Sequence, residues 1–589
     1  MVRNRSSGNR LSRIKESNTM DPAKMQDEFL QAADLQAAGK FNAAIRKYDR
    51  LLAAHSGLAE VHNNKAMALI ALGKIRDGIS ALRTAIRLRC DYVEAQTNLG
   101  VALTESGQLD EAINLLQQMI IRYPQDFEAH GNLGNAYFLN SNFDAAILQC
   151  EKAIELNKNF IPAYDWLANI WMMKGKPDVA ITYYKKIIEL DKKAESAHTN
   201  IASILEKTHQ LDDALEWIES IWSQGGREPN TVYVYALILR RLNRFDEALN
   251  VLQELIQQRL PEAIAARAHF EIGEILDRQE ECTQAFRHFI RANEFQIRNE
   301  HSMQQQKKKY FSEVTRIHKA INGDYPQLVR NTDQTTHPTI IFLMGFPRSG
   351  TTLLDQALDS HPDIQVMEEQ PALEVVLNQL EKNGVYPTRL EHLNTEELDK
   401  LREQYFEVVD KHIDRKDTGV LVDKFPLNIR YVGLIEKLFP DARLLIALRH
   451  PCDVVLSCFK QYFKLNPAMA NFTSLKDTAD LYAEVMGLWC EYEKRTQLSV
   501  LKVRYEDLVI DFESELKKII EFTDENWDEK ILNYSSHAKS RKLINTPSYA
   551  QVTEPIYNRA RYRWKRYEIE LKPVISTLRA FITGFGYDE

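Results

Sequence analysis

The sequence predicts an all-α solenoid of helical repeats in the N-terminal half and an α/β domain with a parallel sheet in the C-terminal half. Two observations lead to this prediction. Turn-forming residues recur at a fixed interval through the first half of the chain. From about residue 338, short apolar runs alternate with segments of helical periodicity, as in a doubly wound sheet. A chain of 589 residues is also too long for one hydrophobic core, which agrees with two or more domains.

Composition and charge restrict the class of protein. A hydrophobic content of 44% and a charged content of 27% are ordinary for a globular protein. The net charge of −8 argues against a general nucleic-acid binder, which is usually basic. No apolar run approaches the ~18 residues of a membrane-spanning helix. We therefore expect neither a nucleic-acid partner nor a membrane span.

The cysteines and the N-terminal residues indicate the cellular compartment of the protein. The six cysteines are thinly spread and form no C-x-x-C pair, which indicates reduced thiols and a cytoplasmic protein. The first twenty residues are basic and polar, without the apolar core of a secretory signal. We expect residues 1–25 to form a disordered leader.

The repeats are defined by two sets of positions in fixed register. The turn positions, which are equally spaced along the chain, are Gly39, Gly73, Gly107, Ser141, Gly175, His209 and Asn243. Five residues after each turn comes a small residue: Ala44, Gly78, Ala112, Ala146, Ala180, Ala214 and Ala248. A small side chain lets two helices cross closely, and glycine accepts the positive φ at a helix end.

This pattern resembles the tetratricopeptide repeat, a helix-turn-helix unit of about 34 residues. The register slips after Asn243, and we interpret residues 256–296 as an irregular helical pair that closes an array over residues 26–296. Residues 297–337 are predicted to be a linker that contains a bridging helix. Such arrays present a concave surface to a polypeptide. Dimerisation or support of the second domain is the alternative role for the repeats.

The C-terminal domain is predicted over residues 338–589. "TIIFLMGF" and "ARLLIALR" are typical of buried strands, and "LSVLKVRYEDL" is a third candidate. The first strand is followed by the glycine loop "GFPRSGTT" and then by a helical pattern. Strand, loop and helix in this order are the context of a phosphate-binding loop.

The glycine loop lacks two parts of a nucleoside triphosphatase. Thr351 stands where the phosphate-loop lysine belongs, and the strand that should end in an acidic residue ends in Arg449. An atypical nucleotide kinase or triphosphatase is therefore disfavoured. The loop amides, the two hydroxyls and the helix N-terminus still suit a single phosphate, and Arg348 would lie beside a charged group attached to it.

The stretch "GFPRSGTTLLDQALDSHPDIQVMEEQPAL" resembles the tyrosylprotein sulfotransferases and their bacterial relatives, some of which join tetratricopeptide repeats to this domain. The resemblance runs over roughly residues 338–588. It implies a sulfotransferase fold with a P-loop-like parallel sheet, and 3′-phosphoadenosine 5′-phosphosulfate as the sulfuryl donor. It also implies a hydroxyl-bearing acceptor and no metal.

Residue roles follow from the same resemblance. The loop that would hold the 5′-phosphosulfate consists of Arg348, Ser349, Gly350, Thr351 and Thr352. In "LRHPCDVVLSCF", Arg449 and Ser457 match the pair that reads the 3′-phosphate. Further nucleotide contacts are implied for Tyr505, Ser548 and Arg563, although Tyr549 replaces a serine of the family pattern.

The catalytic roles are implied for Glu369, Lys424 and Arg348. Glu369 in "MEEQP" matches the general base, with Glu368 as the alternative register. Sulfuryl transfer moves charge onto the bridging oxygen of the leaving nucleotide, so fixed cations such as Arg348 and Lys424 suit it. The acceptor hydroxyl must lose a proton, which a nearby carboxylate can take.

The sequence alone does not determine the acceptor of the sulfuryl group. A peptide tyrosine is favoured by the branch resembled and by the repeat array. A carbohydrate, lipid or small-molecule hydroxyl is the first alternative, and a repeat scaffold with an inactive nucleotide-binding domain is the second.

Overall fold

The computed structural model describes residues 21–298, 301–323, 339–415, 419–536 and 561–588. The chain forms two compact units, Met1–Ile204 and Leu205–Glu589. Within the described ranges, no helix combines the length and the apolar character that crossing a membrane requires. The six cysteines are all free thiols.

The first unit consists of helices that follow one another in antiparallel pairs. Their bounds are α1 Pro22–Ala37, α2 Phe41–Ala54, α3 Ala59–Ala71, α4 Ile75–Leu88, α5 Val93–Glu105, α6 Leu109–Arg122, α7 Phe127–Leu139, α8 Phe143–Leu156, α9 Ile161–Met173 and α10 Pro177–Leu190. Helix α11, Glu195–Lys207, crosses the boundary between the units.

The predicted repeat turns have the backbone conformation that their spacing implied. All seven turn positions have a positive φ, between 59° at Ser141 and 77° at Gly107. The small residues that follow are buried where two helices cross, and a Cβ on Gly78 would lie 2.6 Å from Ile70 Cγ1. The prediction of an N-terminal helical solenoid is confirmed.

The second unit begins with further helices. They are α12 Leu211–Ser223, α13 Pro229–Arg241, α14 Phe245–Leu255, α15 Glu262–Arg278, α16 Cys282–Ile297 and α17 His301–Asn322. Helices α15 and α16, which we call the terminal helical pair, are joined at Glu280 with a φ of 66°. Ala285 follows five residues later, as in the regular repeats. The register slips because α15 has 17 residues where α13 has 13.

A five-stranded parallel sheet organises the rest of this unit. The strands are β1 Thr339–Gly345, β2 Ile364–Glu368, β3 Val420–Lys424, β4 Arg443–Leu448 and β5 Ser499–Arg504, in the order β2-β3-β1-β4-β5. The predicted α/β class is confirmed. Strands β1, β4 and β5 correspond to the predicted runs, whereas β2 and β3 were not recognised as strands because each has only five residues.

Helices cover both faces of the sheet. They are α18 Thr351–Asp359, α19 Ala372–Lys382, α20 Thr395–His412, α21 Val432–Leu438, α22 Pro451–Phe459, α23 Leu475–Glu493, α24 Tyr505–Ile510, α25 Phe512–Thr523 and α26 Glu568–Gly584. Alternate residues of β1 enter two different cores: Phe342 lies in one, and Ile341 and Leu343 lie in the other. Because both faces of β1 are buried, its sequence is continuously apolar.

Helix α17 packs against this domain. Val314, Ile317 and Ile321 lie on one helical face and are wholly buried in the same core as Phe342. The domain boundaries given from the sequence, including the one at residue 297, remain predictions.

Candidate active site

The glycine loop leaves the carboxyl end of β1 and enters α18. Arg348 and Gly350 have positive φ values of 72° and 100°. A Cβ on Gly350 would lie 2.8 Å from Cδ2 of Tyr505, so the loop and the Tyr505 ring are in close contact. The loop leads into the N-terminus of α18, and the first amides of a helix have no partner within the helix and favour an anion. Ser349, Thr351 and Thr352 are buried beside it.

The order of the strands brings distant residues to this loop. Strand β4 lies beside β1, and β5 lies beside β4. Strand β4 ends just before Arg449, and β5 ends just before Tyr505. The Arg449 side chain donates from Nη1 to the Arg348 carbonyl at 3.2 Å. The Arg449 guanidinium carbon also lies 4.7 Å from the centre of the Tyr505 ring. Arg449 is therefore held against both the loop and the aromatic ring.

Ser457 completes this group from helix α22. The Arg348 Nε donates to Ser457 Oγ at 3.1 Å. Helix α22 begins with Pro451 at its first turn, and the neighbouring His450 accepts from the Cys452 amide at 3.3 Å. Burial lowers the pKa of His450 to about 4, and its ring stacks on Trp564. This histidine is a helix cap.

A second group of charges lies at the carboxyl ends of β2 and β3. The parallel register places Glu368 beside Lys424. Lys424 Nζ donates to Glu369 Oε1 at 2.8 Å and lies 3.5 Å from Glu368 Oε1. The Lys424 side chain is fully buried, whereas that of Glu369 is 43% exposed. Of these three side chains, Glu369 is the one best able to meet an incoming acceptor.

Asp355 is a member of this group that the sequence analysis missed. It lies on α18, is wholly buried, and its Oδ2 is 3.0 Å from Lys424 Nζ. It is the one charged residue among the buried positions of "TTLLDQALD". The sequence signal was an acidic residue placed between the leucines of a helical pattern. The helix of the glycine loop thus supplies a partner to Lys424.

The charges in this group do not balance, because one lysine faces three carboxylates. Burial is the main cause that raises the pKa of Asp355 to about 7, with Glu368 adding to the rise and Lys424 opposing it. Burial alone would lower the pKa of Lys424, but Asp355, Glu369 and Glu368 together hold it above its usual value. Lys424 is therefore a permanent cation, and Asp355 is a carboxyl group that can take up a proton near neutral pH.

Of the two remaining predicted contacts, one is paired with the terminal helical pair and the other lies beyond the described residues. Arg563 is in the short helical segment Arg563–Tyr567, and its guanidinium forms an ion pair with Asp277 of α15. Ser548 lies outside the described residues, as does Tyr549. No group of three or more His, Cys, Asp or Glu side chains suited to a metal ion occurs in the described part of the chain.

We compared the sequence with models of known protein families, and two kinds of family match. Residues 338–529 match the family described as "Sulfotransferase family". Residues 63–126, 127–160 and 233–292 match tetratricopeptide repeat families. The chain therefore carries a sulfotransferase-family domain together with tetratricopeptide repeats, as its sequence motifs indicated.

Individual relatives agree with this description. An uncharacterised protein of Aquifex aeolicus is 27% identical over 331 residues, which is 54% of this chain and 42% of the relative. Protein-tyrosine sulfotransferase A of Caenorhabditis elegans is 30% identical over 233 residues, 38% of this chain and 60% of the relative. The chain thus spans about half the length of these curated relatives.

Among solved structures, a tetratricopeptide repeat protein of Parabacteroides merdae is similar to part of the chain. It is 15% identical, with a TM-score of 0.36, over 44% of this chain and 98% of that protein. A TM-score this low adds nothing to the fold described above.

Proposed function

We propose that this protein is a sulfotransferase that moves the sulfuryl group of 3′-phosphoadenosine 5′-phosphosulfate to an acceptor hydroxyl. The observation that supports it best is that Arg348 of the lysine-free glycine loop is hydrogen-bonded to both Ser457 and Arg449. Two arginines and a hydroxyl at one edge of a sheet suit a ligand with two separate phosphate-type groups. Ion-paired Lys424 and Glu369 lie at the carboxyl ends of β3 and β2 in the same sheet.

Each part of the donor has proposed partners. The loop Arg348, Ser349, Gly350, Thr351 and Thr352 holds the 5′-phosphosulfate through its amides and hydroxyls. Arg449 and Ser457 bind the 3′-phosphate through charge-assisted hydrogen bonds. Tyr505 packs against the loop and contacts the nucleotide, and Ser548 and Arg563 complete the contacts.

In the transfer step, the bond between sulfur and the bridging phosphate oxygen breaks while a bond forms from the acceptor oxygen to sulfur. The electron pair stays on the leaving phosphate oxygen, where Arg348 and Lys424 stabilise its negative charge. The proton of the acceptor hydroxyl passes to the Glu369 carboxylate. Once protonated, Glu369 no longer neutralises Lys424, and Asp355 remains at 3.0 Å as a partner of the lysine. The step uses no metal ion.

The proposed acceptor is a tyrosine of a polypeptide. Several relatives carry the name protein-tyrosine sulfotransferase, and the repeats offer a surface for a polypeptide acceptor or partner protein. A carbohydrate, lipid or small-molecule hydroxyl is the alternative acceptor. A cytoplasmic location, inferred from the thinly spread cysteines, belongs to the same proposal.

One assay separates the candidate functions. The protein is incubated with sulfate-labelled donor and a tyrosine peptide, and in parallel with ATP and Mg²⁺. Labelled peptide supports the proposal. Phosphate released from ATP would indicate a triphosphatase, and nucleotide binding without transfer to any acceptor would indicate an inactive scaffold. A search by mass spectrometry for a gain of SO₃, in cells with and without the protein, identifies the acceptor.

A further inference from the structure

Asp277 is a buried carboxylate that lies outside the glycine loop and in the terminal helical pair. It occupies the last turn of α15 and has no exposed surface. Its Oδ1 accepts a hydrogen bond from Tyr567 Oη at 2.6 Å. Its Oδ2 pairs with Lys460 Nζ and with the Arg563 guanidinium. One repeat helix thus holds three side chains of the sulfotransferase domain.

The partners of Asp277 belong to two segments that carry proposed nucleotide contacts, Ser457 on one and Arg563 on the other. Lys460 is the C-terminal cap of α22, and Ser457 lies on that helix about one turn before it. Arg563 and Tyr567 are the first and last residues of the segment Arg563–Tyr567. That segment is also tied to α22, because the Trp564 amide donates to Asp453 Oδ1 at 2.8 Å.

Helix α16 makes a second contact with the same end of α22. Asn293 Nδ2 donates to the Phe459 carbonyl at 3.0 Å, and both residues are buried. The last carbonyls of a helix have no partner within the helix. The terminal helical pair therefore supplies both a hydrogen-bond donor and a counter-charge to the C-terminal end of the helix that carries Ser457.

Removal of the Asp277 charge would leave two cations facing each other in a buried space. Lys460 is 6% exposed, and burial lowers its pKa to about 8. The next carboxylate is that of Glu274, whose Oε1 lies 3.9 Å from Lys460 Nζ. Glu274 also interacts with Arg563, so this one carboxylate would face both cations without a hydrogen bond to Lys460. A buried charge that is incompletely paired is strongly unfavourable, so Lys460 and Arg563 would move apart. Movement of Lys460 displaces the end of α22, and with it Ser457 and its hydrogen bond from Arg348.

From these contacts we infer that Asp277 is a positioning residue for the donor site. It holds Ser457 where this residue binds the 3′-phosphate, and it also holds Arg563, a further proposed nucleotide contact. This inference rests on the proposed function, and it makes the terminal helical pair part of the donor-binding apparatus. A carboxylate that only stabilised the fold would affect the affinity of the glycine loop for every ligand equally.

The test compares two nucleotides on the full chain. Dissociation constants are measured by calorimetry for 3′-phosphoadenosine 5′-phosphate and for adenosine 5′-phosphate. In Asp277→Asn, we expect the preference for the 3′-phosphorylated nucleotide to fall about tenfold, the loss typical of a group that orients a binding side chain. Affinity for adenosine 5′-phosphate should change much less. Glu280→Gln is the matched control, since Glu280 is an exposed carboxylate near Asp277 that pairs with Arg566 at 3.5 Å.

The outcomes are distinct. An unchanged preference in a folded Asp277→Asn variant overturns the inference. If that variant does not fold, Lys460→Gln decides in its place: a reduced preference supports the role of Asp277, and a wild-type preference overturns it. A wild-type protein that binds both nucleotides equally overturns the proposed donor itself, and this inference with it.

Discussion

Lys424 and Glu369 form an ion pair of 2.8 Å at the carboxyl ends of neighbouring strands. The proposed base and one proposed cation therefore neutralise each other in this state of the protein. The backbone strengthens the pairing, because the Glu369 amide donates to the Lys424 carbonyl at 2.8 Å. In the proposed transfer, protonation of Glu369 would end this neutralisation, and the carboxylates of Asp355 and Glu368, at 3.0 and 3.5 Å from Lys424 Nζ, would remain beside the lysine.

Glu369→Gln should abolish transfer and leave nucleotide binding nearly intact. Glutamine keeps the size and the hydrogen bonds of glutamate but cannot accept the acceptor's proton. A general base contributes about 10²–10⁴-fold to a rate, and we expect a loss of turnover in that range. Single-turnover kinetics with labelled donor measures it. Glu368→Gln is the control, and if that variant instead loses turnover while Glu369→Gln keeps it, the assignment of the base is off by one residue.

Binding of 3′-phosphoadenosine 5′-phosphate should raise the thermal midpoint without Mg²⁺. A ligand that binds only the folded state stabilises it by roughly 2.7 kcal/mol at 100 times its dissociation constant. Differential scanning calorimetry, with and without a chelator, measures this effect. Ser457→Ala should reduce the gain because Ser457 is a proposed 3′-phosphate contact. Greater stabilisation by ATP with Mg²⁺ would refute the proposed donor.

Asp355→Asn should change how stability depends on pH. The pKa of Asp355 is about 7 in the folded protein, above its usual value of 3.8. Between these values the folded state binds more protons than the unfolded state, so this group's contribution to stability declines as pH rises towards 7. The slope from one such group is at most about 1.4 kcal/mol per pH unit. Asparagine cannot titrate, so the variant should show a shallower decline in chemical denaturation from pH 4 to 7.

A control for this measurement lies on the same helix. Asp359→Asn changes the other acidic residue of α18, and we expect it to keep the wild-type slope. Asp423 also has a pKa raised by burial to about 7, but it is present in every variant and cancels in the comparison. Equal slopes in wild type and Asp355→Asn would contradict the titration of Asp355 in this window.

Gly350→Ala should destabilise the protein and weaken nucleotide binding. The φ of 100° disfavours any residue with a Cβ, and that atom would lie 2.8 Å from the Tyr505 ring. Strain of this kind costs on the order of 1–3 kcal/mol. Gly39→Ala is a matched control because Gly39 has a φ of 72° with nothing within 4 Å of a Cβ. It should lose stability without altering nucleotide affinity, whereas wild-type affinity in Gly350→Ala would contradict a role of the loop in binding.

Two truncations should behave differently. A chain that begins at Leu205 keeps the whole second unit, and it should bind 3′-phosphoadenosine 5′-phosphate like the full protein. A chain that begins at residue 300 lacks α15 and α16, so Lys460 and Arg563 lose Asp277. We expect this shorter chain to aggregate or to bind the nucleotide weakly. Gel filtration and calorimetry measure both properties, and wild-type affinity in the shorter chain would refute the contribution of the terminal helical pair.

The chain that begins at Leu205 also tests the role of the repeats in the first unit. If the first unit captures a polypeptide acceptor, the chain from Leu205 should lose transfer to that acceptor and retain slow transfer to a small phenol. Equal efficiency on the polypeptide with and without the first unit would exclude substrate capture by that unit.

The sequence by itself determined the repeats and the glycine loop, because both are local. A turn with positive φ and a small residue five positions later are properties of a few neighbouring residues, and even the irregular pair keeps them at Glu280 and Ala285. The same holds for a strand, a glycine turn and a helix in succession, which predicted the place of Arg348 and Gly350.

Only the tertiary structure decided which charges meet. Asp355 and Lys424 are far apart in sequence, and they pair because β3 lies beside β1 and the helix that follows β1. Asp277 and Lys460 are 183 residues apart and belong to parts that the sequence divided into separate domains. Periodicity reports which face of an element is buried, but the partner that a buried charge finds depends on how the elements pack. The pKa of Asp355 and the counter-charge of Lys460 are therefore consequences of packing that no local pattern contains.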